Sequence, residues 1–194
     1  MIQILLVPLV FLMCACSTNK SSVDLPPEVK LQKAQKYFEK GRYSRVLELA
    51  EELSKSGVGA VALEADLLKA RTFKEQEKFL ECAQVFETLA RKYPLEPRRR
   101  EWLFQSAFCL VSSRKRSVTD LTPVERAKDL LIEIKRTFGP LSDDEMELWF
   151  SILEQIKKFF SSVINHYSSE GNFLSADFYR ELLKKYLESM NEST

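Results

Sequence analysis

The chain has 194 residues, of which 45% are apolar and 29% charged, as is ordinary for a folded globular protein. Its 29 basic and 28 acidic residues leave a net charge of +1, so the overall charge gives no electrostatic reason to expect nucleic-acid binding. Only 5 glycines occur, whereas long stretches are rich in Leu, Glu, Lys, Ala and Arg. This composition favours an all-α fold over a β-rich fold.

The start of the chain differs in character from the rest. Its first residues, MIQILLVPLVFLMCA, contain no charged side chain. An apolar run this short is typical of a secretory signal. The small Ala15 precedes Cys16, as in a bacterial lipoprotein signal, where that cysteine becomes the lipid-carrying N-terminus. No Lys or Arg precedes the run, so an uncleaved anchor or cleavage without lipidation is the alternative. We predict a signal peptide over 1–15, lipidation at Cys16 and a flexible Ser-rich tether over 16–27.

A repeat follows the tether. KAQKYFEKGRYSRVLELAEEL, from Lys33, and KARTFKEQEKFLECAQVFETL, from Lys69, align at a shift of 36 residues. Their small, aromatic and large apolar residues take the order typical of a tetratricopeptide repeat. Gly41 is placed to form the turn between the two helices of the first unit. The matched pairs are Ala34 with Ala70, Tyr37 with Phe73, Tyr43 with Phe79, Val46 with Cys82, Ala50 with Phe86 and Leu53 with Leu89.

Two further units complete the array. The third begins with the helical segment REWLFQSAFCLVSS, and after the insertion RKRSVTDL we expect Thr122 to cap its second helix, with Glu125 closing a capping box. Ser142 opens the next helix by the same logic, and its length predicts a bend or break around 155–158. The last unit centres on Gly171. The pattern predicts an all-α, tetratricopeptide-like helical-hairpin solenoid of about four repeats over residues 28–190; an irregular helical bundle is the alternative.

Residues that carry chemistry are few. The only histidine, His166, cannot build a metal site alone and is expected on the surface or between helices. Cys82 and Cys109 are expected to serve as small packing residues, with a disulfide between them as the alternative for an exported protein. No phosphate-binding loop, metal-ligand cluster or nucleophile motif occurs in the sequence. We therefore expect no catalysis, no cofactor and no metal.

The first helix of each repeat normally lines the concave surface of such an array, which makes its side chains candidates for partner binding. Phe38 either anchors a bound peptide or packs against the next repeat. Two basic clusters, 98–100 and 114–116, are either solvated helix ends or docking surfaces for an acidic partner. The groove-facing candidates are Leu31, Gln35, Phe38, Leu67, Arg71 and Lys74, and the second basic cluster consists of Arg114, Lys115 and Arg116.

Several motifs occur in an informative order. They are AxxYFEKGRYSRV (34–46), VFETLARKYP (85–94), the insertion with Asp120 ahead of Ala127, and FFSSVINHYSSEGNFLSADFYRELL (159–183). Together with the lipoprotein signal they resemble the BamD/ComL family, outer-membrane lipoproteins of the β-barrel assembly machine. The chain departs from that family in ending its third repeat with Phe-Gly-Pro at 138–140 and in lacking most of a fifth repeat.

The resemblance implies a lipid-anchored outer-membrane protein that faces the periplasm. In the family the N-terminal repeats are implicated in engaging unfolded barrel substrates, which would place Phe38 and Arg71 on the substrate side. The C-terminal repeats hold the barrel-forming, BamA-like core subunit, which would place Arg180 on the docking side. The alternative is another exported repeat lipoprotein, either a secretin pilotin or an envelope and cell-division coordination factor. An enzyme built on a helical array is a third reading.

Overall fold

The computed structural model describes residues 25–55, 59–113 and 120–193. In these ranges all regular secondary structure is helical, and consecutive helices pack against each other. Contacts also join the first helix to the third and the fifth to the seventh. The predicted helical-hairpin solenoid is confirmed. Its helices are α1 (Pro27–Glu39), α2 (Tyr43–Lys55), α3 (Gly59–Glu75), α4 (Phe79–Lys92), α5 (Arg99–Ser113), α6 (Thr122–Phe138), α7 (Asp143–Ser169) and α8 (Phe173–Ser193).

Three hairpin turns share one backbone geometry. Gly41 has φ +65° and Gly171 has φ +71°, while Glu77, 36 residues after Gly41, has φ 54° without being glycine. In each turn the next residue donates its N–H to the carbonyl of an aromatic residue five positions earlier. In each case a right-handed α-helix ends in a single residue with left-handed backbone conformation. The three bonds, all of 2.9 Å, are Arg42 to Tyr37, Lys78 to Phe73 and Asn172 to Tyr167.

The matched repeat positions form the core. The small residues Ala34, Ala70 and Ala107 are fully buried, which lets paired helices approach closely. The large positions Leu53 and Leu89 are each 1% exposed. The largest continuous core runs from α3 to α8 and includes Trp102, Leu131, Ile134, Ile152 and Ile156. The repeat alignment therefore identified buried positions on α1 to α4.

The predicted break in α7 is wrong, because the helix runs unbroken for 27 residues from Asp143 to Ser169. Ile152, Ile156 and Phe160 continue one buried stripe through the expected break. The segment 155–158 contains neither Gly nor Pro, so nothing in the backbone interrupts the helix.

The two predicted helix caps have different outcomes. The capping box of α7 is confirmed, since Ser142 Oγ accepts from the Glu145 N–H at 3.4 Å and the Glu145 carboxylate accepts from the Ser142 N–H at 2.7 Å. The Thr122 cap is wrong, because α6 already includes Thr122 and no side chain caps it at Leu121. The carboxylate of Asp120 instead accepts the Thr122 N–H at 2.9 Å.

A disulfide joins Cys82 of α4 to Cys109 of α5, with the two Cα atoms 6.2 Å apart. The expectation of two unbonded packing residues is therefore wrong. α4 and α5 form a pair joined by a short connection over 93–98, and the two cysteines lie equally far from its centre. Paired helices bring such positions to the same height, which the repeat alignment alone did not take into account.

Candidate partner-binding surfaces

The first basic cluster, residues 98–100, lies at the start of α5, and its arginines form ion pairs within the chain. Arg98 donates from Nη1 to Glu64 of α3 at 3.0 Å. Arg99 pairs with Glu133 of α6 and donates from Nε to a backbone carbonyl of α4 at 3.1 Å. Consecutive arginines thus tie α5 to several neighbouring helices. These guanidinium groups stabilise the packing between repeats.

Arg100 makes the most buried of these ion pairs. Its Nε and Nη2 atoms donate to the two carboxylate oxygens of Glu145 at 2.9 and 2.7 Å. The Glu145 side chain is only 5% exposed, whereas that of Arg100 is 32% exposed. The pKa of the Glu145 carboxyl lies below its usual value, chiefly because Arg100 donates to it and also because of the Ser142 N–H, while burial opposes the shift. The pair locks the start of α5 to the start of α7.

The candidates in the N-terminal half are placed unequally. Phe38 is half-buried, and its ring lies edge-on to that of Tyr43 with the ring centroids 5.8 Å apart. It also packs against the buried cluster of α1, α2 and α3. Of the two alternatives for Phe38, packing against the next repeat is therefore the one observed. Arg71 is exposed. Lys74 donates to Gln105 of α5 at 3.1 Å.

The other groove-facing candidates also differ. Leu67 is 5% exposed and belongs to the main core, so its predicted position on the groove is wrong. Its side chain lies on the buried face of α3, which also carries Leu63 and Ala70. Leu31 is half-buried against two small clusters, and Gln35 is exposed.

The last helix carries an exposed apolar surface that the sequence analysis missed. Leu174, Phe178 and Leu182 are 85%, 63% and 38% exposed and recur every four residues, so they share one face of α8. We call these three residues the α8 stripe. Beside it, Arg180 pairs with Asp177 and donates to Ser168 Oγ at 3.4 Å. The spacing was visible in the sequence, but the same spacing also describes a core-facing helix.

The remaining predicted residues carry no site geometry. His166 is exposed, with its ring 5.5 Å from that of Tyr167. Among the described residues no group of His, Cys, Asp and Glu could hold a metal ion. Within the same ranges no helix has the length and apolar character needed to cross a membrane. Cys16 and the cluster Arg114, Lys115 and Arg116 lie outside the described residues.

Comparison with known proteins adds no assignment to these surfaces. No family model matches the chain, and no curated protein matches it in sequence. The function is therefore inferred from the sequence motifs, the solenoid and its exposed surfaces.

Proposed function

We propose that this chain is a lipid-anchored periplasmic scaffold of the outer-membrane β-barrel assembly complex. In this proposal Cys16 carries the lipid, residues 16–27 form the tether, and the solenoid binds a BamA-like barrel subunit and nascent outer-membrane proteins. The observation that supports a scaffold most directly is the α8 stripe. A row of large apolar side chains on the surface of a folded chain is typical of a protein–protein contact.

The α8 stripe can supply the apolar anchor residues at the centre of an interface. Its three side chains span about 12 Å along the helix. Burying the exposed parts of Leu174 and Phe178 would contribute about 2 to 4 kcal/mol, or roughly 30- to 1000-fold in Kd. The ion pair of Arg180 with Asp177 supplies a charged border beside the apolar residues, as at the rims of known interfaces.

Nascent substrates are assigned to the N-terminal half of the array. Arg71 is exposed there and makes no ion pair or side-chain hydrogen bond within the described residues, and Lys74 lies on the same helix next to α5. A guanidinium and an ammonium group can hold the backbone carbonyls or acidic side chains of an extended segment. Phe38 contributes the exposed part of its ring. The cluster Arg114, Lys115 and Arg116 is proposed as a docking site for an acidic partner.

The test is affinity purification of the tagged full chain from detergent-solubilised membranes, followed by identification of the bound proteins. We expect a barrel-forming outer-membrane subunit to co-purify. Replacing Leu174 and Phe178 with serine should remove that subunit. A matched control replaces Leu80 and Leu95, which are 56% and 95% exposed elsewhere on the chain, and should retain it.

The alternatives predict different bound proteins. A secretin in place of the barrel subunit would favour a pilotin, and a peptidoglycan-linked protein would favour an envelope or cell-division factor. Loss of the barrel subunit in both double variants would show that the α8 stripe is not the contact. A purification that yields none of these subunits would contradict the scaffold proposal.

A further inference from the structure

A groove of about 440 Å³ lies between α5 and α7, within the range of known ligand-binding clefts. We call it the α5–α7 groove. Phe104, Phe108 and Val111 line it from α5, and Leu148 lines it from α7. Phe108 is 38% exposed, although it lies in the middle of the array. Phe104 is half-buried, and Val111 and Leu148 are each only 7% exposed, so the groove presents mainly the two aromatic rings of α5 to solvent above an aliphatic floor.

The charges around the groove are unevenly distributed. At one end the pair of Arg100 and Glu145 closes the gap between the two helices and leaves neither charge available. Asp144 and Glu147 line the α7 wall, are exposed, and have no ion-pair partner among the described residues. The α7 wall thus carries two carboxylates without a side-chain counter-charge, of which Asp144 lies in the first turn of the helix.

A positive charge lies behind the α5 wall, outside the groove itself. The Nζ atom of Lys74 lies 4.5 Å from the centroid of the Phe108 ring, on the side of α5 that faces α3. This cation occupies the ring from the α3 side. A positively charged group that enters the groove is consequently attracted toward Asp144 and Glu147 and away from Lys74.

We propose that the α5–α7 groove binds an extended peptide segment that carries a large apolar side chain and, within the next few residues, Lys or Arg. The apolar side chain contacts Phe104, Phe108 and Leu148, and the basic group lies against Asp144 and Glu147. The lining residues of α7 extend over about 16 Å, which is the length of roughly five extended residues. The groove holds such a segment along the helices, as helical repeat arrays hold peptides on a concave side.

This site is separate from the α8 stripe and does not rest on the proposed function. It predicts a peptide preference that can be measured on the isolated protein, without any membrane partner. Failure of the barrel-subunit purification leaves this prediction intact, and failure of peptide binding leaves the scaffold proposal intact.

The probe is an end-blocked, fluorescein-labelled hexapeptide with phenylalanine second, lysine fourth and fifth, and alanine elsewhere. Binding to the detergent-purified full chain is followed by fluorescence anisotropy at two salt concentrations. Two comparison peptides replace the lysines with glutamate or the phenylalanine with serine. We expect the first peptide to bind at least tenfold more tightly than either comparison, with affinity falling as salt rises.

Variants locate the binding. Asp144→Asn with Glu147→Gln should weaken binding of the lysine peptide about 3- to 10-fold and reduce its salt dependence. Glu170→Gln with Glu188→Gln makes the same change in net charge on exposed residues outside the groove and should leave binding unchanged.

The apolar contact is tested separately. Ser151→Trp fills the groove from α7 and should abolish binding. Phe150→Ser is the control: it removes an aromatic ring that is 57% exposed on the same helix but does not line the groove, so it should leave binding unchanged. Far-ultraviolet circular dichroism checks that each variant is folded. Because Ser151→Trp adds a side chain at a solvent-facing groove, it blocks the groove without truncating any lining residue.

Three results would overturn the proposal. One is equal affinity for the lysine and glutamate peptides. Another is binding unaffected by both Ser151→Trp and the double carboxylate variant. The last is concentration-dependent self-association that Ser151→Trp abolishes while no peptide binds, because a second copy of the chain would then be the occupant of the groove.

Discussion

Replacing Arg100 with methionine removes the main partner of a buried carboxylate while keeping most of the apolar stem. Glu145 would retain only the Ser142 N–H, with its side chain still 5% exposed. Removing one partner of a buried ion pair commonly costs about 3 to 5 kcal/mol. Arg100 is 32% exposed, so solvent screens part of this charge and we expect about 2 to 3 kcal/mol. Urea unfolding followed by circular dichroism at pH 7 measures this loss.

The same pair predicts how the loss depends on pH. Because the pKa of Glu145 is lowered in the folded protein, the pair contributes stability above the ordinary carboxyl pKa of about 4.3, and that stability disappears as pH falls through the folded value. In the Arg100→Met protein the pKa of the buried Glu145 carboxyl should rise instead, because desolvation favours its protonated form. The difference in unfolding free energy between the two proteins should therefore shrink from pH 7 toward pH 3.5.

A matched control uses an exposed ion pair. Arg45 and Glu48 have side chains that are 66% and 63% exposed, so Arg45→Met should leave stability unchanged within error at both pH values. If Arg100→Met costs no more than Arg45→Met, or costs the same at pH 7 and pH 3.5, then the pair does not lock α5 to α7 as described.

Three other changes follow from the structure. Glu77→Gly should have an unfolding free energy about 1 kcal/mol higher than Glu77→Ala in urea titrations, because both remove the side chain and only glycine tolerates the left-handed backbone at this position; equal stability of the two variants would contradict that explanation. Replacing Cys82 and Cys109 together with alanine should lower it by about 3 to 4 kcal/mol, since the bond spans 27 residues, whereas unchanged unfolding would show that the disulfide does not form. Cys16→Ser should abolish acyl labelling and release the chain from membranes; persistent labelling would refute lipidation at Cys16.

The repeat positions could be predicted because they are fixed by local rules. A shift of 36 residues placed Ala70 and Leu89 on the buried faces that Ala34 and Leu53 occupy in the first unit. It also aligned Glu77 with Gly41, although its left-handed backbone could not be read from a glutamate. Helix periodicity and turn geometry depend on neighbours close in sequence, so a single sequence contains them.

The long-range contacts could not be predicted in the same way. Arg100 and Glu145 are 45 residues apart, and the sequence around each residue contains no signal that would predict their pairing. Predicting the disulfide would have required knowing which residues of α4 and α5 lie side by side in the helix pair. The α8 stripe required knowing that no further helix covers that face within the described residues. Each of these depends on the stacking of the repeats, which spacing along one helix does not specify.

The most direct test of a scaffold that holds a barrel subunit through α8 is site-specific photocrosslinking of the intact lipoprotein in cells. A photoreactive phenylalanine analogue at Phe178 should yield an adduct with a barrel-forming outer-membrane subunit. The same analogue at Phe150, which is 57% exposed on α7, should not yield it. An adduct at Phe178 with a different class of protein, or identical adducts at both positions, would contradict the account.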